Sequence, residues 1–499
     1  MTTSLPHLKP LKPYTLSHYS SLPRSQTQTQ ITHTRIPQTL TITGPTSLSG
    51  QVSISGSKNS SLSLLAATLL CSNSSLLHNV PTDLTDIQSM LSILNSVGVK
   101  TQVDVRRKRI LVNSDGIRCV EPCLEEMRKI RGGFFVIGPL LARFGEAIVG
   151  LPGGCDIGER PVDLYVRGLR ALGAVVELRQ VVDDNVGCSL RWECSGLGLS
   201  NLASQDGKVL ARAANGRGLI GGNFHLDYPS VGATETLMMA ASMADGVTVL
   251  SNVAKEPEVI DLARFLNDSG ACVTGAGSDK LLIKGKFKMH GAECVVSPDR
   301  IEVGTFMIAA AITRSCILIS PVIPSYVSCL TDKLTISGCK ITQRNHDTFQ
   351  VSAVPADVGE NLQGFDVKTS PFPGFPTDLQ PQTMALLTTC NGLSIVEESV
   401  FDKRMGHVRE MQKLGAEIHV CGSTALVFGR EKGSTLHGCR VDAADLRGGV
   451  SLVLAGLAAE GTTEINGIAH VDRGYENLDA KLQFLGANIK RLIPAVSPL

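Results

Sequence analysis

Two apolar patterns alternate along this chain, and each recurs six times. The first spaces its apolar residues three and four apart, reaches a glycine and continues as a short alternating stretch. Its copies are MLSILNSVGVKTQV, YVRGLRALGAVVEL, LARFLNDSGACVTG, LTDKLTISGCKITQ, VREMQKLGAEIHV and LDAKLQFLGANIKRL. This spacing predicts an amphipathic helix, a left-handed glycine cap and a strand. The capping glycines are Gly98, Gly173, Gly270, Gly338, Gly415 and Gly486, at spacings of 75, 97, 68, 77 and 71 residues. The second pattern is apolar on nearly every face: SGSKNSSLSLLAATLL, IRGGFFVIGPLLA, SVGATETLMMAASMA, RIEVGTFMIAAAIT, FPTDLQPQTMALLTT and DLRGGVSLVLAGLAA. A helix apolar all round must be buried on most sides. The chain therefore reads as six copies of one αβ unit, each with a buried helix and an amphipathic one covering it. At 499 residues it suits two α/β domains of three units each. The 97-residue spacing is read as a surface insertion or long hairpin around DDNVGCSLRWECSGLGLSNLASQDGK.

Polar and charged residues gather at the openings of the buried helices: Lys58 and Asn59, Arg131, Ser230, Arg300, Asp378, and Asp445 with Arg447. A helix N-terminus offers unpaired N–H groups and the positive end of a dipole. Six such openings in one cleft, with Arg160 and Arg473 added, would form a pocket for a small, multiply charged anion. Taken singly, each cation could be a solvated residue or half of a local ion pair, and Arg300 and Arg447 could be fixing turns. Asp378 is out of character in such a set, and reads either as a general base or as a helix cap.

The remaining composition narrows the class. Net charge is +1, which argues against a general nucleic-acid or anionic-membrane binder. The apolar runs, such as 452–459, are too short to span a bilayer. Fourteen cysteines contain no C-x-x-C and no companion histidine pair, so neither a metal site nor a disulfide framework is expected. Cys272, Cys316 and Cys390 read as core filler in a reducing compartment. Residues 1–38 are rich in Ser, Thr, Pro and Gln, carry Lys9, Lys12, Arg24 and Arg35, and precede the first acidic residue, Asp83. Such a leader has the composition of an organelle transit peptide, and its prolines and few arginines favour a plastid.

One cysteine stands apart. In LPGGCDIGERPVDL, Cys155 follows two glycines and precedes Arg160 by five residues. Glycines there mark a mobile loop or close approach to a ligand, and a neighbouring cation favours the reactive thiolate form of a cysteine.

With SGSKNSSL, DYPSVGATE, FPGFPTDLQPQ, HVREMQKLGA, DLRGGVSLVLAGLAAEG and HVDRGYE, this loop resembles the UDP-N-acetylglucosamine 1-carboxyvinyltransferase family from about Thr41 to Leu492. The resemblance implies two inside-out α/β barrel domains of three units each. One comprises 58–297, the other 39–57 joined to 298–499, with the active site in the cleft between them. It also implies transfer of the enolpyruvyl group of phosphoenolpyruvate to the 3′-hydroxyl of UDP-N-acetylglucosamine, releasing phosphate by addition and elimination without metal or cofactor. Its substrates would be its only implied partners. By the same resemblance Cys155 is the general acid and Asp378 the base. Lys58, Arg131, Arg160 and Arg473 hold the phosphoenolpyruvate anion. Asn59, the segment Arg160, Pro161, Val162, Asp163 and Leu164, and Ser230, Val231, Gly232 and Val400 line the nucleotide-sugar site. Gly132 and Gly133 stand where the family more often has small non-glycine residues, so a looser helix opening is expected there. The alternatives are the shikimate-pathway sister enzyme, which the cysteine loop disfavours, and a catalytically inactive ligand-binding homologue.

Overall fold

The buried apolar side chains fall into two clusters. One runs from Leu62 to Val296, the other takes Leu40–Ile54 together with Ile301–Ile489. The structure, a computed structural model, describes residues 38–158, 161–180, 191–192, 207–214, 216, 218–358, 361–430 and 436–492, all within the compact unit Pro37–Leu499. Residues 1–37, Arg160 and most of the insertion after Gly173 lie outside the described residues.

Both repeat patterns fold as their spacing predicts. The six capping glycines all take left-handed backbone, with φ of 102°, 81°, 98°, 109°, 90° and 105° in chain order. The apolar pattern forms the helices Lys58–Ala67, Ile137–Phe144, Val231–Ala241, Arg300–Ile312, Gln380–Leu387 and Leu446–Ala458. In Arg300–Ile312 every residue after the first is buried. Each large side chain so enclosed contributes about 1.5–3 kcal/mol, which is why these segments carry almost no charge beyond their first turn. The amphipathic pattern forms Thr85–Ser96, Asp163–Ala171, Pro257–Asp268, Ser328–Ser337, Val408–Lys413 and Leu478–Phe484. These bury one face each; Ser328–Ser337, for instance, buries only Leu330, Leu334 and Ser337.

Six four-stranded sheets accompany the helices, one per unit. Five share a pattern in which the strand after the buried helix has a parallel neighbour on one side and an antiparallel one on the other. In the sheet containing Glu146–Gly150, no such parallel neighbour occurs among the described residues, and Arg191–Trp192 is added at the far edge. The first described strand, Thr39–Gly44, completes the last unit by inserting between Gly461–Asn466 and Asn488–Leu492. The chain then supplies Ser49–Ser53 to a second sheet before crossing into the first core. It crosses back near Pro298, and the two crossings are tied by Ser57 N to Ser297 O (2.8 Å) and Asp299 N to Ser55 O (2.9 Å). Lys58 and Arg300 each begin a buried helix at these crossings. Helix openings from both lobes therefore meet there.

Candidate active site

Ser57 caps the helix at the first crossing, accepting from Ser60 N at 3.2 Å. Lys58, the first helical residue, reaches to 3.4 Å from Asp86 Oδ2. Arg473, from the other lobe, donates through Nε to Asp86 Oδ1 at 2.9 Å. It also donates from Nη1 to Cys155 Sγ at 3.0 Å and from Nη2 to the Lys129 carbonyl at 3.5 Å. One buried carboxylate thus holds two cations, and one of these contacts the thiol. Burial opposes the Arg473 charge, but Asp86 and Cys155 outweigh it and raise its pKa.

Asp378 lies in the turn Thr377–Leu379 that opens the helix Gln380–Leu387. It does not cap that helix. Arg404 Nη2 donates to Oδ1 at 2.7 Å and Arg447 Nη2 to Oδ2 at 2.8 Å, from side chains only 3% and 4% exposed. Arg447 is backed by the Tyr475 ring, 5.3 Å from its centroid. The Tyr475 hydroxyl meets Thr305 Oγ1 at 2.7 Å and Gln382 Nε2 at 3.1 Å, and Gln382 also donates to the Asp378 carbonyl. Burial pushes the Asp378 carboxyl up, but Arg447, Arg404 and Lys58 together hold it well below the usual carboxylate range. Lys58 therefore acts on both Asp86 and Asp378, joining the two groups into one site.

His407 packs beside this pair, with Nδ1 3.2 Å from the Arg404 carbonyl. Burial, partly offset by Asp445, lowers its pKa to about 4. The unfolded chain binds this proton near pH 6.5 and the folded chain does not. Stability is therefore present above pH 6.5 and is lost as pH falls towards 4. His407→Gln should flatten that part of the pH dependence of thermal unfolding.

The residues expected at the nucleotide-sugar site are more dispersed. Asn59 Nδ2 donates to Glu258 Oε1 at 3.3 Å, and Arg300 lies 3.6 Å from the same oxygen with Phe372 under its guanidinium. Ser230 caps the helix Val231–Ala241, accepting from Ala233 N at 3.3 Å. A Cβ at Gly232 would stand 2.0 Å from the Tyr165 hydroxyl, so that glycine permits a close approach. Arg131 begins the turn Arg131–Val136. Burial and then Asp163 raise the Tyr228 phenol while Arg131 opposes them, which puts all three in one neighbourhood. Val400 is 38% exposed after the strand Leu393–Glu397.

Val162 and Leu164, 7% and 1% exposed, set their side chains in the first core, while Pro161 is exposed and Asp163 half-buried. Other expectations are corrected. Gly132 and Gly133 do not loosen the helix opening: added Cβ atoms would meet Leu62 at 3.0 Å and Ile93 at 2.9 Å. Cys272 is exposed and Cys316 half-buried because each faces outward from its strand, whereas Cys390 is core. Asp86 and Arg404 were not singled out from the sequence. Asp86 could have been, as a carboxylate on the buried face of its helix with Met90, Ile93 and Leu94.

The cysteine loop is held against the opposite lobe. Lys403 N donates to the Ile157 carbonyl at 3.3 Å, and its amine lies 3.5 Å from Asp156 Oδ1. Gly158 has φ +119°, and a Cβ there would fall 1.7 Å from Asp402 Oδ1. Gly158→Ala should detach the loop, read as faster alkylation of Cys155 by iodoacetamide.

Residues 42–186 and 201–482 match the family described as EPSP synthase (3-phosphoshikimate 1-carboxyvinyltransferase), which places the chain among the enolpyruvyl transferases. Among solved structures, the enolpyruvyl transferase NikO from Streptomyces tendae shares the fold, with a TM-score of 0.76 at 22% identity over 91% of this chain and 99% of that one. An EPSP synthase from Acinetobacter baumannii gives 0.64 at 15% identity, covering 91% of this chain and 100% of that one. Within that class, the UDP-N-acetylglucosamine 1-carboxyvinyltransferase of Gloeobacter violaceus is 46% identical over 459 residues, 92% of either chain. That of Synechocystis is 43% identical over 451 residues, 90% of this chain and 94% of its own. The chain belongs to the UDP-N-acetylglucosamine 1-carboxyvinyltransferase family.

Proposed function

We propose that this enzyme transfers the enolpyruvyl group of phosphoenolpyruvate to the 3′-hydroxyl of UDP-N-acetylglucosamine, releasing phosphate, as the first committed step of peptidoglycan precursor synthesis. The observation that carries the reading is the contact of Arg473 with both Cys155 and Asp86, with Lys58 on the same carboxylate. A phosphate or carboxylate entering there meets two cations beside a thiol. Cys155 would deliver the proton to the methylene carbon while the sugar hydroxyl adds to the neighbouring carbon. Loss of phosphate from the tetrahedral ketal, together with a proton from its new methyl group, then forms the enol ether. Asp378, with both oxygens taken by arginines, accepts the hydroxyl proton only after an incoming anion draws one guanidinium away. Asn59, Arg131, Arg160, Asp163 and Ser230 are assigned to the substrates. The two cores would act as domains, 58–297 and 39–57 with 298–499, closing over the ligands with the cysteine loop.

Cys155→Ser tests the assignment: it should still bind UDP-N-acetylglucosamine in calorimetry but release no phosphate. Turnover at the wild-type rate would overturn the role of Cys155. We also propose a plastid location, on the basic, acid-free composition of residues 1–38. A fusion of that leader to a reporter should enter isolated chloroplasts, and exclusion from them would refute the location.

A further inference from the structure

The segment from Arg473 to Asn477 is laid against the first lobe at more than its arginine. Arg473 grips Asp86; three residues on, Glu476 Oε1 accepts from Asp83 N at 3.5 Å, and Asn477 Nδ2 donates to Asp83 Oδ2 at 3.5 Å. Residues 473–477 of one lobe and 83–86 of the other therefore run past each other with a contact at each end. The Glu476 end is the anchored one. Its carboxylate is 3% exposed, takes an ion pair from Lys108 at 2.7 Å, and accepts from Ser55 Oγ in the first crossing at 2.8 Å. Lys108 presents its amine from a hairpin turn with φ +50°, a backbone conformation that a lysine rarely adopts. Ser55 in turn accepts from Lys481 Nζ at 2.9 Å, so Glu476 is fixed from both lobes and from the crossing between them.

We propose that Glu476, paired with Lys108, is a positioning residue for the anion site: it sets the register of Arg473 against Asp86 and Cys155 without touching substrate. The inference rests on the function proposed above for the role of Arg473. Freed from Lys108, the segment would still pack through Tyr475, but the guanidinium would lose the fixed distance between its two partners. Errors of about 1 Å in such a group can cost about a hundredfold in rate.

The test uses the full chain with Glu476→Gln, Lys108→Met and the double variant. Lys108 is 42% exposed, so its variant should fold even if a buried change at Glu476 does not. The readouts are KM for each substrate and alkylation of Cys155 by fosfomycin, the phosphonate epoxide that attacks this cysteine in the family, set against alkylation by iodoacetamide, which needs no anion site. Each single variant should raise KM for phosphoenolpyruvate about tenfold, leave KM for UDP-N-acetylglucosamine within about twofold, and slow fosfomycin but not iodoacetamide. The double variant should be no worse than either single one. Equal losses for both substrates, or unchanged fosfomycin alkylation in both single variants, would overturn the proposal. If the wild-type chain turned over no UDP-N-acetylglucosamine, the functional reading would fail while the alkylation comparison still decided the role of Glu476.

Discussion

Replacing Asp378 with asparagine is expected to lower kcat by about 10²–10³ and to destabilise the protein measurably. The carboxylate is the ion-pair partner of two guanidinium groups that are almost wholly buried. Removing its charge leaves both cations uncompensated, a change that typically costs about 3–5 kcal/mol. The amide oxygen can still accept from one arginine, but the amide N–H groups then face the other. Stability from these pairs is present above the ordinary carboxylate pKa and is lost only well below it, because Arg447 and Arg404 outweigh burial. Asp378 therefore stays ionised across the working range, and the acid limb of the wild-type rate profile should belong to another group. Calorimetry and steady-state kinetics on one preparation check both parts; a variant with unchanged melting and unchanged kcat would refute the account of this pair.

The second large effect is at Arg473. Arg473→Met removes the donor to Cys155 and one of the two cations on Asp86. The expected loss is about 10²–10³ in kcat/KM for phosphoenolpyruvate, or about 3–4 kcal/mol. Arg473→Lys should recover little, since a point charge cannot span Asp86 and Cys155 at once as the planar fork does. Affinity for UDP-N-acetylglucosamine, read by calorimetry, should hold within about twofold, because Arg473 bonds Asp86, Cys155 and Lys129, whereas Asn59 bonds Glu258 and Ser230 caps its own helix. Recovery of wild-type kcat/KM by the lysine variant would show that charge alone suffices.

How far the sequence reached follows from what each signal measures. Helix periodicity and glycine caps are local, and they located all twelve helices of the six units because each unit's buried and outer faces differ so sharply in polarity. The helix openings and the glycine-flanked loop marked Lys58, Asp378, Arg473 and Cys155, the resemblance supplied their roles, and three of these converge with Asp86. The pairing partners were harder to see. Arg404 lies in FDKRMGHV, a turn without periodicity, and only the folded chain places it 2.7 Å from Asp378. Val162 and Leu164 carry apolar side chains at a helix opening, and the fold sets both in the first core. The closure of the last unit by Thr39–Gly44 is a pairing across more than 400 residues, and no local pattern encodes its partner. Glycine pairs were misread for a related reason: Gly132 and Gly133 suggest freedom in a string, whereas Leu62 and Ile93 occupy the space a side chain would need.

The most direct measurement of the central claim is phosphate release by the chain lacking residues 1–38, given phosphoenolpyruvate with either UDP-N-acetylglucosamine or shikimate 3-phosphate. The account predicts release with the nucleotide sugar alone, abolished by prior treatment with fosfomycin. Release with shikimate 3-phosphate, or none with either acceptor from folded protein that still binds UDP-N-acetylglucosamine, would contradict it.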